Sequence, residues 1–139
     1  MWTHEHVAET AVSAEAIWKV LSDIDGWARW DTSMETISIE GPFAVGTYVS
    51  MTPKGQESIR SVITDIRENE LYADETDMGD VKLRFSHTLV RLPAGGTRVV
   101  HVLQITGPAA DEVGPQLGPA ITEDFPEAMD ALLACASNV

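Results

Sequence analysis

Gly107-Pro108 divides this chain into two hydrophobic regimes, and that division restricts the fold more than any single motif does. Ahead of it, apolar residues recur at every second position in short runs bounded by Gly, Pro and charged turns. Behind it, Val113, Leu117, Ile121 and Phe125, continued by Ala128, Met129, Leu132 and Leu133, recur at the helical period. The alternating runs cover residues 2–12, 34–40, 47–52, 58–66, 71–76, 81–92 and 97–106. Most follow one another directly, so they are expected to pair antiparallel in one curved sheet of about seven strands. Such a sheet has an apolar face to bury, and a long C-terminal helix is the element available to cover it. The fold class is therefore α+β.

Between the first run and the second, Ser13 offers an N-cap oxygen, Glu15 suits the first turn of a helix, and Ile17, Trp18 and Leu21 form its apolar stripe. That helix is expected to end near Asp23 to Gly26, with one further helical turn over Trp27 to Asp31. Pro115, Pro119 and Pro126 interrupt the C-terminal stripe. The prediction there is a bent or two-part helix, regular over residues 121–136. A chain of 139 residues suits a single domain, 1–139, with a core and room for a cavity.

One strand, two short helices, six strands and a terminal helix make the helix-grip order. The motifs that fill it are Val12-Ser13-Ala14-Glu15-Ala16-Ile17-Trp18, Leu21-Ser22-Asp23 with Trp27-Ala28-Arg29-Trp30-Asp31, and Glu40-Gly41-Pro42-Phe43. Leu83-Arg84-Phe85-Ser86-His87-Thr88-Leu89, Gly95-Gly96-Thr97-Arg98-Val99 and Gly107-Pro108 complete them. In these the chain resembles the polyketide cyclase/dehydrase and lipid-transport branch of the START-like, or SRPBCC, superfamily, over almost its whole length. The resemblance implies a small apolar molecule enclosed between the sheet and the C-terminal helix. It does not select a function, because the superfamily includes lipid and hormone carriers, aromatase/cyclases, quinone-binding proteins and chaperone-associated modules.

Charge and motif content exclude several classes. The formal charge is −13, from 22 acidic and 9 basic residues, and the basic ones are scattered. Nucleic acid is thus not an expected partner, and anionic membrane surfaces would repel the chain. The same field favours neutral or cationic small molecules on encounter. No run is long and apolar enough for a membrane span, and His4, Glu5, His6 and Glu9 stand where a signal peptide would be apolar. A cytoplasmic setting agrees with a single cysteine, Cys135, read as a small apolar residue of the last helix. Gly41 to Gly46 has the glycine spacing of a phosphate loop, but Thr47 stands where the lysine belongs. G-x-S-x-G and H-E-x-x-H are both absent.

His87 is the leading site candidate. It alternates with Leu83, Phe85 and Leu89, which puts an imidazole on the expected buried face, where desolvation favours the neutral form as hydrogen-bond partner or base. His101 shares a face with Val99, Leu103 and Ile105, but Val100 and Val102 make the other face equally apolar. A three-residue hairpin turn puts His87 and His101 on the same face; a two- or four-residue turn separates them. Tyr48 and Trp30 are candidate wall residues from the sheet and the second helical turn, and Phe125 and Met129 from the terminal helix. Trp18 and Trp27 read as core, Tyr72 as either pocket or sheet edge, and Lys82 and Arg84 as solvated. His4 and His6 share a strand face, and His87 and His101 stand on later strands whose proximity to the first nothing in the sequence fixes; solvated edge polarity is the reading, with no metal and no cofactor expected.

Three functions follow as expectations. The first is binding of a small hydrophobic or aromatic molecule in the cavity lined by His87, Phe85, Leu83, Leu89, His101, Tyr48, Trp30, Phe125 and Met129. The second is a polyketide cyclase or dehydratase with His87 moving protons, which calls for a second titratable group beside His87. The third is a ligand-free interaction module. The oligomeric state is left open, a homodimer being one option.

Overall fold

β1 (Trp2–Thr10) is followed by α1 (Ala14–Leu21) and a 3-10 segment (Ile24–Arg29). β2 (Met34–Ile39), β3 (Tyr48–Pro53), β4 (Ile59–Arg67), β5 (Leu71–Asp77), β6 (Lys82–Arg91) and β7 (Thr97–Thr106) then run consecutively to α2 (Ala110–Thr122) and α3 (Phe125–Ser137). The computed structural model describes residues 1–138, and its strands form one seven-stranded antiparallel sheet in the order β1-β7-β6-β5-β4-β3-β2. Sequential hairpins account for β2 through β7, and the N-terminal strand closes the row against β7. This is the α+β helix-grip arrangement.

α1 begins where its cap predicts, with the Ala16 N–H donating to Ser13 Oγ at 3.1 Å. Ile17 and Leu21 are fully buried and Trp18 nearly so. Burial of each aliphatic side chain contributes about 1.5–3 kcal/mol. The further helical turn differs from expectation. It starts at Ile24 and is a 3-10 segment, because Ile24 and Trp27, three residues apart, both turn into the core. Trp27 Nε1 anchors it by donating to the Leu21 carbonyl at 3.0 Å.

The long C-terminal helix is two helices that break at Glu123 and Asp124. Pro115 and Pro119 lie inside α2, where each lacks a backbone donor, whereas Pro126 sits in the first turn of α3, where the N–H would be unpaired anyway. α2 lies over β1 and β7, α3 over β1 and α1, α1 against β6, and the 3-10 segment against β2. Over β5, cover comes from side chains: Trp27 edge-on to Tyr72 at 5.5 Å, and Phe43, from the loop after β2, stacked on the same ring at 5.8 Å. Among the described residues, no helix is long and apolar enough to cross a membrane.

Candidate functional site

The β6–β7 hairpin sets the register of the site. Leu92 N–H donates to the Gly96 carbonyl at 3.1 Å, leaving Pro93-Ala94-Gly95 as a three-residue turn, with Gly95 at φ 96° as that geometry requires. His87 therefore stands directly opposite His101. Extending across the sheet, His6 pairs with His101 and Tyr72 with His87, giving one row of His6, His101, His87 and Tyr72. The next row is His4, Leu103, Phe85 and Asp74. All 4 histidines of the chain thus face inward. The reading of His4 and His6 as solvated edge residues is corrected here: both are half-buried beneath the C-terminal helices, and His4 lies edge-on to Phe125 at 5.9 Å.

Part of this inner face is filled. The rings of His87 and His101 stack at 3.9 Å, and those of His101 and Phe125 at 3.8 Å. Rings this close are in van der Waals contact, so the stack ties β6, β7 and α3 together and admits nothing between them. Leu83, Leu89 and Met129 are packed core as well, each no more than 5% exposed. The cavity expected between this strand face and the terminal helix is occupied by the protein's own side chains. The physical reason is the two-part helix, which lays Phe125 directly on His101.

Towards β5 the inner face is buried but polar, with Tyr72 and Asp74 no more than 3% exposed. Tyr72 and Asp74 point to the same side of that strand, and the Tyr72 hydroxyl donates to Asp74 Oδ2 at 2.8 Å. Asp74 Oδ1, His87 Nδ1 and Trp30 Nε1 are buried without a hydrogen-bond partner. Aromatic rings surround them: Trp27 lies 6.4 Å from His87 and 6.0 Å from Trp30, in addition to its contact with Tyr72. A surface depression of about 540 Å³ lies on the outer side of Phe43, lined also by Trp18, Ile66, Glu15, Lys19 and Glu68.

Burial tunes the titratable groups. It raises the Asp74 carboxyl to about 6, against the smaller lowering effects of the Tyr72 hydrogen bond and the Arg84 charge. His87 is held down at about 4 by burial alone. His101 falls well below the ordinary imidazole value, from burial first and then from His87, His6 and His4. Tyr72 is pushed upward by burial, by the Asp74 charge and by the bond between them. At neutral pH the site therefore presents neutral imidazoles, a neutral phenol and a largely ionised carboxyl.

Of the predicted wall residues, the structure keeps His87, Phe85 and Trp30 partly exposed on or beside this surface and places His101, Leu83, Leu89, Phe125 and Met129 in the packed stack and core. Tyr48 lies outside. It opposes Val62 on the outer face, 42% exposed, with the Arg60 guanidinium 3.9 Å above its ring, because Val49 and Met51 are the inward positions of β3. Asp74 was not among the candidates. Its signal was the alternation of Tyr72, Asp74 and Thr76 on one strand face, obscured because Leu71 and Ala73 make the other face equally apolar. Among the described residues no three His, Cys, Asp or Glu side chains are arranged to hold a metal ion.

Residues 1–135 match the profile of the family described as polyketide cyclase / dehydrase and lipid transport. This chain belongs to that family. No curated protein matches it at the sequence level. This member of the polyketide cyclase/dehydrase family is nevertheless similar in structure to the Zhui aromatase/cyclase of a Streptomyces species, at 18% identity and a TM-score of 0.79 over 97% of this chain and 93% of that one. A norcoclaurine synthase from Thalictrum flavum is similar at 17% identity and a TM-score of 0.77, over 98% and 94% of the two chains. A START superfamily protein from Mycobacterium smegmatis gives 17% identity and a TM-score of 0.76 over 98% and 97%. At these identities the likeness concerns the fold.

Proposed function

We propose that this domain binds a small hydrophobic or aromatic molecule against the inner face of β4 to β6, between Tyr72, His87, Phe85 and the Trp27–Trp30 segment, with access past Phe43. The observation that carries the reading is the set of buried polar atoms without partners, Asp74 Oδ1, His87 Nδ1 and Trp30 Nε1, in an otherwise aromatic wall. A buried unpaired polar group costs about 1–3 kcal/mol, and a ligand with matching polar atoms offsets that cost. The proposal carries a cytoplasmic setting, supported by the unpaired Cys135. Nucleic acid and membranes are left out as partners, since the arginines at 29, 60, 84, 91 and 98 each face a carboxylate. Native mass spectrometry and tryptophan quenching with 2-naphthol test the reading. A saturable one-to-one complex is expected, and failure of any apolar aromatic to bind overturns it.

A second reading, a cyclase- or dehydratase-type enzyme, is favoured by one observation. The complementary titratable group that such chemistry needs beside His87 is supplied by Asp74 with its Tyr72 partner, on the adjacent strand. An ionised carboxyl and a neutral imidazole can accept protons, and the phenol, whose one hydrogen goes to Asp74, holds that carboxyl in place. Steady turnover of a poly-ketone substrate, lost in Asp74→Asn, supports the enzyme; stoichiometric binding without turnover supports the carrier.

A further inference from the structure

The ligand proposed above is not yet specified, and the environment of Asp74 specifies it further. This carboxyl is 3% exposed, lies on the inner face of the central strand β5, and receives a single hydrogen bond, from Tyr72 to Oδ2. Its Oδ1 has no partner. A carboxylate out of water needs an opposite charge or several donors, and one phenol is insufficient.

The protein supplies no cation there. Arg84, whose charge reaches Asp74, sits in register with Glu75 on the other face of the sheet and donates to Asp65 at 3.0 Å. The remaining lysines and arginines are exposed. The inward imidazole of the adjacent strand, His87, stands opposite Tyr72, and burial keeps it neutral.

We infer that the site is built for an aromatic amine, with Asp74 as counter-ion to the ligand's ammonium group; this rests on the binding reading above. Several independent features agree. An ionised carboxylate only accepts hydrogen bonds, so a ketone oxygen directed at Oδ1 is repelled, whereas an ammonium donates three. His87 Nδ1, unpartnered on the neighbouring strand, can accept another of those hydrogens. Trp27, Phe43 and Tyr72 make the surroundings aromatic, and aromatic rings attract a cation as well as another ring. The overall charge of −13 favours the encounter with a cation.

Three probes of nearly equal shape decide the matter by titration calorimetry at pH 7.5 and low salt: 2-phenylethylamine, 2-phenylethanol and propylbenzene. The parent protein is expected to bind the amine about tenfold or more tightly than the alcohol, the order of a charge-assisted pair. Asp74→Asn should abolish that preference while leaving propylbenzene affinity within about twofold. An alcohol or hydrocarbon that binds the parent as tightly as the amine overturns the counter-ion role and leaves the hydrophobic-site reading standing. So does an amine preference that survives in Asp74→Asn. Failure of all three probes to bind overturns both. Should Asp74→Asn not fold, the comparison of probes on the parent alone still decides.

Discussion

Replacing Gly118 by Ala probes how α2 is seated on the sheet, and its outcome runs against helix propensity. Gly114 and Gly118 are buried on the face of α2 that meets Trp2. A methyl group at 118 would lie 2.6 Å from Trp2 Cζ2 and closer still to Cη2 and Cζ3, well inside van der Waals contact with a ring held between strand and helix. At 114 the added carbon would lie 2.5 Å from Trp2 Cβ. Overpacking of this kind costs about 1–3 kcal/mol, while exchanging Gly for Ala within a helix contributes about 1 kcal/mol in the opposite direction. Gly118→Ala should therefore be neutral to destabilising by about 2 kcal/mol in the parent. In a Trp2→Ala background the clash is gone, and the same substitution should stabilise by about 1 kcal/mol. Urea unfolding of the four proteins, at equal m-values, gives the cycle. Stabilisation by Gly118→Ala in the parent, or an effect of the same sign in both backgrounds, would refute the close approach of α2 to Trp2.

Acidification from pH 6.5 to 5 should destabilise the fold. His87, held at about 4, and His101, also lowered, each take up to one proton on unfolding in that window, whereas Asp74, raised to about 6, releases up to one. The net uptake of about one proton makes stability fall by about 1.4 kcal/mol per pH unit, and His87→Phe should flatten the slope towards zero; a profile that rises on acidification contradicts the assignment. Trp18→Ala, which empties a site 8% exposed beside Phe43, should lower stability by about 3–5 kcal/mol in urea unfolding. An unchanged midpoint would place α1 wrongly. Ser13→Ala, which removes the cap bond to Ala16, should cost about 1 kcal/mol, with Ser13→Gly costing only a few tenths.

Local chemistry was sufficient for most of the architecture. The switch of period at Gly107-Pro108, the Ser13 cap and the alternating runs are properties of contiguous residues, and they sufficed to read seven strands, an early helix and a C-terminal helix either bent or in two parts. The site was less legible because it is assembled across strands. Whether His87 meets His101 depended on the number of residues in one turn, and both faces of β7 carry enough valine to be inward. Similarly, Asp74 sits on an alternating strand whose two faces are equally apolar in sequence; only pairing with β6 beneath Trp27 makes its face the buried one. The position of the helices mattered most. Phe125 and Met129 were visible as apolar helix positions, but their stripe does not encode whether they wall a cavity or fill it. That was decided by the break at Glu123 and Asp124 and by the glycines against Trp2, which bring α2 and α3 onto β1 and β7 and leave β5, with its buried polar groups, to the cover of Trp27 and Phe43. Periodicity is a one-dimensional property of the chain, whereas the distance between two packed layers is set by every side chain between them.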